Sequence, residues 1–269
     1  MLCENRCCVG GVTFDSLTEK QTVEAVLDEL RQGRGGWLVT PNIDILQRSR
    51  DATLRELVNS ANLVVCDGMP VIWAARLAGT PLPERVTGSS LIWTLTAGAA
   101  REGHRVFLLG AADGVAELAA HQLNARHPGA EVVVGVYSPP LGFERSAEQM
   151  ALLTERLHGA HPAIVFCGFG FPKQERLIQG ILEEFPGVWF VGCGGAIDMA
   201  AERIPRAPTL LQRVGLEWAY RLVREPRRLA RRYLLDDLPF ALLLLMGTTT
   251  TGIRTRAHRV HLRGNALAA

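Results

Sequence analysis

The chain has 269 residues, of which 48% are hydrophobic and 21% are charged, and its formal net charge is +2. This composition is typical of a soluble globular protein with one or two domains, and it excludes a disordered or fibrous chain. The N-terminal residues, MLCENRCC, have no basic region followed by an apolar stretch, so we expect no signal peptide. Cys66, Cys167 and Cys193 lie in or at the end of apolar runs, where free thiols behave as small hydrophobic groups. We therefore expect a reducing, cytosolic compartment.

The near-neutral total hides an uneven distribution of charge. The segment from Arg203 to Arg263 contains thirteen arginines, no lysine and four acidic residues, which gives it a local charge of +9. The rest of the chain therefore carries −7. A basic segment of this kind favours phosphate groups in nucleic acid, in anionic lipid or in a phosphorylated ligand. The alternative interpretation is an ordinary solvated helix surface.

Short apolar runs alternate with segments whose apolar residues recur at helical spacing. The runs predict strands and the periodic segments predict helices. This alternation predicts an α/β fold in which helices flank both faces of a Rossmann-like parallel sheet. The segment 9–14 is a candidate short edge strand. The other predicted strands, in chain order, are 37–40, 63–66, 106–110, 131–137, 164–167 and 188–191.

Asp67 directly follows the apolar run 63–66. We predict that this run is a central strand of the sheet, because its residues suit burial on both faces. Asp67 would then lie at the carboxyl edge of the sheet, where open α/β folds bind ligands. Pro70 suits the first turn of the helix that follows. In the alternative interpretation, Asp67 only caps that helix, as Asp often does.

Other polar groups are expected at the same edge of the sheet. Thr40 and Asn42 stand at the carboxyl end of the strand 37–40, and Arg85 lies in a loop that two prolines stiffen. The turn GAADG, which begins at Gly110, offers backbone N–H groups at a helix N-terminus, which suit a diphosphate. The alternative for this turn is an ordinary tight connection between strand and helix.

Two later strand ends add further candidate binding residues. Lys173 and Gln174 stand at the start of a predicted helix, and we expect both to face a ligand, because a lysine there opposes the helix dipole. The glycine-rich stretch 192–195 allows a close approach of the backbone to a ligand. Asp198 follows that stretch and is a further candidate substrate-binding residue.

The character of the chain changes after the last predicted strand. We predict an α/β catalytic core over 1–204, a basic amphipathic helical appendage over 205–246 and a flexible tail over 247–269. If the appendage helices are nearly collinear, Arg221, Arg228 and Arg231 fall on one face. The apolar run 238–246 is about half the ~20 residues that span a bilayer. It suits an interfacial anchor or an oligomer contact better.

Six ordered motifs carry a resemblance to a known family. They cover residues 9–235 and read TPNIDIL, VVCDGMPVIW with ERVTGSSL, RVFLLGAADG, GFGFPKQE, VGCGGAIDMAAERIPRAP and GLEWAYRLVREPRRLARRYL. The chain resembles the WecG/TagA/CpsF family of bacterial glycosyltransferases, glycosyltransferase family 26. The resemblance implies transfer of N-acetylmannosamine, or its uronic acid, from a UDP-sugar with inversion of the anomeric centre. The implied acceptor is N-acetylglucosamine on undecaprenyl diphosphate, in teichoic acid, capsule or exopolysaccharide synthesis.

The resemblance also implies roles for individual residues. Asp67 matches the proposed general base, and Arg221, Arg228 and Arg231 match basic positions of a C-terminal appendage that seats on the membrane and completes the active site. The implied location is the inner face of the cell membrane, with an anionic membrane surface as a partner and a homo-oligomer as a further expectation. The residues that match pocket positions are Thr40, Asn42, Arg85 and Gln174.

The residues favour this chemistry over two alternatives. Inverting transfer needs a carboxylate that takes the acceptor proton and a stabiliser for the leaving diphosphate, which arginines provide without a metal. No DxD pair is present, so we expect metal-independent catalysis with no cofactor. A dehydrogenase-like enzyme with a nucleotide cofactor would explain only the strand–helix units, and the glycine fingerprint is missing. A nucleic-acid-binding protein would explain only the arginines, which lack interleaved aromatic residues.

Overall fold

The computed structural model describes residues 6–203, 208, 217–224 and 231–248. The strands are β1 (Arg6–Val9), β2 (Val12–Asp15), β3 (Gly36–Val39), β4 (Leu63–Val64), β5 (Val106–Gly110), β6 (Val133–Tyr137), β7 (Ile164–Gly168) and β8 (Trp189–Gly192). The helices are α1 (Glu19–Arg31), α2 (Ile43–Arg48), α3 (Ala52–Asn59), α4 (Met69–Leu77), α5 (Gly88–Glu102), α6 (Val115–Ala125), α7 (Ala147–Ala160), α8 (Lys173–Ile181), α9 (Ala196–Ala200), α10 (Glu217–Arg224) and α11 (Leu238–Thr248).

Six strands form one parallel sheet in the order β4-β3-β8-β7-β5-β6. Residues along each strand alternate between two apolar layers. In β3, for example, Trp37 and Val39 pack on one face and Leu38 packs on the other. Helices α2, α3, α4, α7 and α8 cover the first face, and α1, α5, α6 and α9 cover the second. The predicted α/β fold with a parallel sheet flanked by helices is therefore confirmed.

The N-terminal prediction of a single edge strand is wrong. Strands β1 and β2 form an antiparallel hairpin of their own, with Val9 opposite Val12, and they do not join the large sheet. The turn residues Gly10 and Gly11 both have positive φ, a conformation that suits glycine and lets the chain reverse within two residues.

The predicted central position of the run 63–66 is also wrong, because β4 is an edge strand with only two ladder residues. Its burial has another source. The hairpin covers the open side of β4, and the Val64 backbone N–H donates to Asp15 Oδ2 at 2.9 Å. A buried edge has the same apolar composition as a buried centre, so composition alone does not separate them.

The C-terminal segment is described in parts. A π-helical stretch, Arg232–Asp237, leads directly into α11. Ala241 and Leu244 of α11 are buried, and Leu244 belongs to the core cluster on the first face. Among the described residues, no helix combines the length and the apolar character that crossing a bilayer requires. The predicted domain boundary near 205 lies outside the described residues. The first two residues of the predicted tail 247–269 belong to α11, and the rest of that segment lies outside the described residues.

Candidate functional site

A cavity of about 540 Å³ opens at the carboxyl edge of the sheet. It lies beyond the ends of β3, β4, β7 and β8. Strands β3 and β8 are neighbours, but the helix after β3 packs on the first face of the sheet and the helix after β8 packs on the second. Neighbouring strands whose helices diverge leave a crevice, which is the usual ligand site of open α/β folds.

One side of the cavity, which we call the Asp67 wall, consists of Thr40, Asn42, Asp67 and Arg85. One backbone hydrogen bond extends the pairing of β3 and β4 beyond the ladder itself, and a second joins the segment after β4 to the loop that carries Arg85. The Asp67 N–H donates to Pro41 O at 3.1 Å, and the Val86 N–H donates to Cys66 O at 2.8 Å. These bonds bring Asp67, Arg85 and the segment 40–42 to the same side of the cavity.

Helix starts position two polar side chains of this region. Asn42 is the N-cap of α2, and its Oδ1 accepts a hydrogen bond from the Ile45 N–H at 3.0 Å. Thr87 is the N-cap of α5, and its Oγ1 accepts from the Ser90 N–H at 3.1 Å. Both residues line the cavity as well as capping their helices.

Asp67 is not the N-cap residue of α4. The N-cap of α4 is Gly68, which makes no side-chain cap hydrogen bond, and Pro70 lies in the first turn as predicted. Asp67 is partly exposed and lines the cavity. Its carboxyl group therefore stands at a strand end with access to a ligand.

The opposite side, which we call the Gln174 wall, is made of two glycine-containing loops and the first turn of α8. The loops are 169–171 after β7 and 193–195 after β8. Gln174 Oε1 accepts hydrogen bonds from the Gly170 N–H at 3.0 Å and from the Gly194 N–H at 3.2 Å. One side chain therefore joins both loops.

Arg48 connects α2, which follows β3, to the loop that follows β7. Its Nη1 donates to the backbone oxygen of Phe171 at 2.6 Å, and its guanidinium carbon lies 5.0 Å from the centre of the Phe171 ring. Arg48 is the last residue of α2, so this contact fixes the helix after β3 to the loop after β7.

Glu175 lies behind the Gln174 wall and is fully buried. Its Oε1 accepts a hydrogen bond from Gln174 Nε2 at 2.9 Å. Burial raises the pKa of this carboxyl group to about 7, although the Gln174 hydrogen bond and the charge of Arg48 both act to lower it. Sequence reasoning did not single out Glu175, since a glutamate in the first turn of a helix is commonly exposed.

Lys173 and Gly110 are outside the cavity lining. Lys173 Nζ forms an ion pair with Glu144 Oε2 at 2.9 Å and lies over the rings of Phe143 and Phe169. The contact holds the loop between β6 and α7 against the Gln174 wall. A Cβ atom at Gly110 would lie 2.9 Å from the backbone oxygen of Gly168, so this glycine permits close packing of β5 on β7.

The C-terminal segment forms part of the cavity lining. Asp237, Leu238 and Ala241 all border the cavity, and Asp237 is buried. Sequence reasoning missed Asp237, because it lies far along the chain from the strands of the sheet. Asp198, which was predicted, also lines the cavity.

The predicted arginines of the appendage are only partly described. Arg231 is exposed and does not border the cavity. The backbone of Arg221 lies in α10, but its side chain and the whole of Arg228 are outside the described residues. Within the described ranges, no group of three or more His, Cys, Asp or Glu residues is placed to hold a metal ion.

Comparison with known proteins decides the family. The sequence model of the glycosyl transferase WecG/TagA/CpsF family matches residues 7–252, which is nearly the whole chain. The chain belongs to this family.

Proteins with a named activity are similar to this chain over most of their length. The chain is 31% identical over 203 residues to the N-acetylglucosaminyldiphosphoundecaprenol N-acetyl-beta-D-mannosaminyltransferase of Bacillus spizizenii. The aligned region covers 75% of this chain and 76% of that protein. It is 29% identical over 224 residues to the protein of the same name in Staphylococcus aureus strain MW2, with 82% and 85% covered. The Bacillus subtilis protein of that name is 29% identical over 182 residues, with 68% of each chain covered.

In this member of the WecG/TagA/CpsF family, the structure brings together most of the candidate site residues that the sequence predicted. The cavity lining includes Asp67 and the four residues that matched pocket positions of the family, Thr40, Asn42, Arg85 and Gln174. These residues come from segments far apart in sequence, and the sheet gathers them at one edge.

Proposed function

We propose that this protein transfers N-acetylmannosamine, or a related hexose or uronic acid, from a UDP-sugar to N-acetylglucosamine on undecaprenyl diphosphate. The observation that carries the proposal is the cavity that holds the Asp67 carboxyl group and the Arg85 guanidinium group at the carboxyl edge of the sheet. The activity named for the similar Bacillus and Staphylococcus proteins supports the same choice of substrates. No observation favours the dehydrogenase-like alternative.

In the proposed reaction, Asp67 is the general base. Its carboxylate takes the proton of the acceptor hydroxyl group as the hydroxyl oxygen attacks the anomeric carbon of the donor. The bond from that carbon to the diphosphate breaks on the opposite face, so UDP leaves and the anomeric configuration inverts. The partial exposure of Asp67 in the cavity suits this role, because the acceptor must reach the carboxylate.

Arg85 is the proposed stabiliser of the leaving diphosphate. A guanidinium group donates paired hydrogen bonds to phosphate oxygens and keeps its charge at neutral pH. Arg221, Arg228 and Arg231 of the basic C-terminal segment are proposed to add positive charge during the reaction. Catalysis would then proceed without a metal ion, since arginines supply the charge that a metal ion supplies in other nucleotide-sugar enzymes.

The lipid-linked acceptor implies contact with a membrane. Helix α11 exposes the apolar side chains of Leu242, Leu243 and Met246. Ala241 of the same helix and Asp237, which directly precedes it, border the cavity. We infer that the exposed apolar side chains enter the inner face of the cell membrane and that the arginines bind anionic lipid head groups. The product would enter synthesis of a cell-wall polymer, a capsule or an exopolysaccharide.

A panel of radiolabelled UDP-sugars tests the proposal. The purified full chain is incubated with each donor and with a lipid-diphosphate N-acetylglucosamine acceptor, and labelled lipid is counted after extraction. We expect labelled lipid with UDP-N-acetylmannosamine or a related UDP-sugar. Absence of transfer from every UDP-sugar, with a folded protein and an intact acceptor, would refute the proposed function.

A further inference from the structure

Gln174 has an unusually complete set of contacts for a side chain that borders a ligand cavity. Its Oε1 accepts two backbone hydrogen bonds, from Gly170 and Gly194, and its Nε2 donates to Glu175 Oε1. An amide oxygen has two lone pairs and an amide nitrogen has two hydrogens. Both lone pairs are therefore engaged, and no second Nε2 hydrogen bond is present among the described residues. The remaining N–H has no acceptor among the described residues, and Gln174 borders the cavity.

These contacts determine which way the amide group faces. Both backbone groups are donors, so the atom between them must be the oxygen, and the nitrogen must face Glu175. If the amide turned by 180°, its NH₂ group would meet two N–H donors. The carboxyl oxygen of Glu175 is the acceptor that completes this arrangement on the other side.

Glu175 is enclosed at the base of the wall. Its side chain is fully buried, and its Oε2 has no hydrogen-bond partner among the described residues. A Cβ atom at Gly192 would lie 2.8 Å from Gln174 Nε2 and 3.3 Å from Glu175 Oε1, so the two side chains pack directly on the end of β8. A buried carboxyl group with one orphan oxygen costs stability that an apolar residue of the same length would not cost. This cost indicates a role beyond filling space.

We propose that Glu175 is a positioning residue that fixes the rotation of the Gln174 amide, so that Gln174 holds the two glycine loops together and directs its remaining N–H to an acceptor oxygen of the nucleotide sugar. Glu175 touches neither substrate nor reacting atoms and acts only through Gln174. The ligand part of this inference rests on the proposed function. The part that concerns the loops does not.

Paired substitutions test the ligand part. Met is close to Glu and Gln in length and has no amide or carboxyl group, so Glu175→Met, Gln174→Met and the double variant remove the interaction from each side. UDP affinity is measured by calorimetry on the full chain. Each single substitution should weaken UDP binding about tenfold, the effect of one lost hydrogen bond. The double variant should bind no more weakly than Gln174→Met alone, because Glu175 has no route to the ligand except Gln174.

Two further variants separate positioning from general loss of structure. Glu175→Gln keeps an acceptor oxygen for Gln174 Nε2, so its UDP affinity should stay within about threefold of the wild type. Glu183→Met makes the same change at an exposed position beyond the end of α8 and should have no effect. If Glu175→Met does not fold, Glu175→Asp replaces it. Its shorter side chain should not reach Nε2 and should weaken binding to a similar extent.

Hydrogen exchange tests the loop part without any ligand. The Gly170 and Gly194 N–H groups both donate to Gln174 Oε1, so their exchange rates report how firmly the amide is held. Exchange at these two positions should rise about tenfold in Glu175→Met and stay near the wild-type rate in Glu175→Gln.

The outcomes distinguish this inference from the proposed function. Failure of the wild type to bind UDP or to transfer sugar would count against the function, and hydrogen exchange would then decide the inference alone. Unchanged exchange at Gly170 and Gly194 in a folded Glu175→Met or Glu175→Asp variant would overturn it. So would wild-type UDP affinity in either variant, or a double variant whose loss is the product of the two single losses.

Discussion

The Asp67 wall and the Gln174 wall both begin at the carboxyl ends of parallel strands, but their polar groups are held in different ways. On the Asp67 wall, backbone pairing beyond β3 and β4 places the side chains, and Asp67 remains partly exposed in the cavity. On the Gln174 wall, side chains hold the backbone, since one amide joins two loops and a buried carboxyl group orients that amide. The comparison suggests that the first wall supplies chemistry and the second supplies shape.

Loss of the Asp67 carboxylate should distinguish the roles of the two walls most clearly, because it should change turnover and leave UDP binding intact. Asp67→Asn should lower kcat by about two to four orders of magnitude, the usual contribution of a general base, with little change in UDP affinity. Turnover, UDP affinity and melting temperature should be measured together, with Asp28→Asn on the exposed side of α1 as the control. A near wild-type rate would remove Asp67 from the mechanism.

The apolar face of α11 belongs to neither wall and should affect only membrane binding. Replacement of Leu242, Leu243 and Met246 by Gln should weaken sedimentation with anionic liposomes by about a hundredfold, because burial of three apolar side chains is lost. Transfer to a soluble acceptor analogue should be retained. Leu118→Gln, an exposed leucine on α6, is the control. Unchanged liposome binding would show that this helix does not contact lipid.

The buried carboxyl group of the Gln174 wall should make stability depend on pH. The pKa of Glu175 is raised from 4.5 to about 7 in the folded protein, mainly by burial, with Arg48, Cys167 and Cys193 nearby. Because the folded state binds this proton more tightly, the stabilisation is complete below about pH 4.5 and is lost as the pH rises through about 7.

The pH effect is measured as a difference between variants. The free energy of unfolding of the wild type, relative to Glu175→Gln, should fall by roughly 3 kcal/mol across this window. Chemical denaturation at several pH values gives the comparison, with exposed Glu183→Gln as the control. A difference that stays constant with pH would show that Glu175 titrates normally.

A methyl group at the end of β8 should disturb the Gln174 wall alone. Gly192→Ala places a Cβ atom against Gln174 Nε2 and should weaken UDP binding about tenfold by displacing the amide, while kcat at saturating donor changes little. Gly180→Ala on α8 meets no atom of the described residues within 4 Å and serves as the control. Equal losses in the two variants would mean that the contact at Gly192 is unimportant.

Chelation should have the smallest effect. If Arg85 and the C-terminal arginines stabilise the diphosphate, transfer should continue at an unchanged rate in EDTA. Activity that EDTA abolishes and Mg²⁺ or Mn²⁺ restores would show that the diphosphate is held by a metal ion instead. The measurement is the initial rate before and after addition of each ion.

The sequence predicted the Asp67 wall better than the Gln174 wall for a physical reason. Thr40 and Asp67 follow apolar runs directly, so a parallel sheet must bring them to one edge. The partners of Lys173 and Gln174 depend on the loops that pack there. Lys173 forms an ion pair with Glu144 and lies over two aromatic rings, whereas Gln174 accepts hydrogen bonds from two glycine N–H groups. Neither set of partners has a local sequence pattern.

Two further features required the three-dimensional structure. The run 63–66 has the composition of a central strand, but the N-terminal hairpin buries it at the edge of the sheet, so strand order was not readable from apolar content. Asp237 reaches the cavity because α11 packs on the first face of the sheet through Leu244. Packing between segments that are distant in sequence decides both the edge position of β4 and the position of Asp237.

The stereochemistry of the product tests the central claim most directly. The full chain is incubated with UDP-N-acetylmannosamine and a soluble N-acetylglucosaminyl lipid-diphosphate analogue, and the new glycosidic linkage is assigned by NMR. A single displacement assisted by Asp67 predicts a β-linked product from the α-linked donor, and Asp67→Asn should form that product at a greatly reduced rate. An α-linked product, or equal rates for the two proteins, would contradict the account.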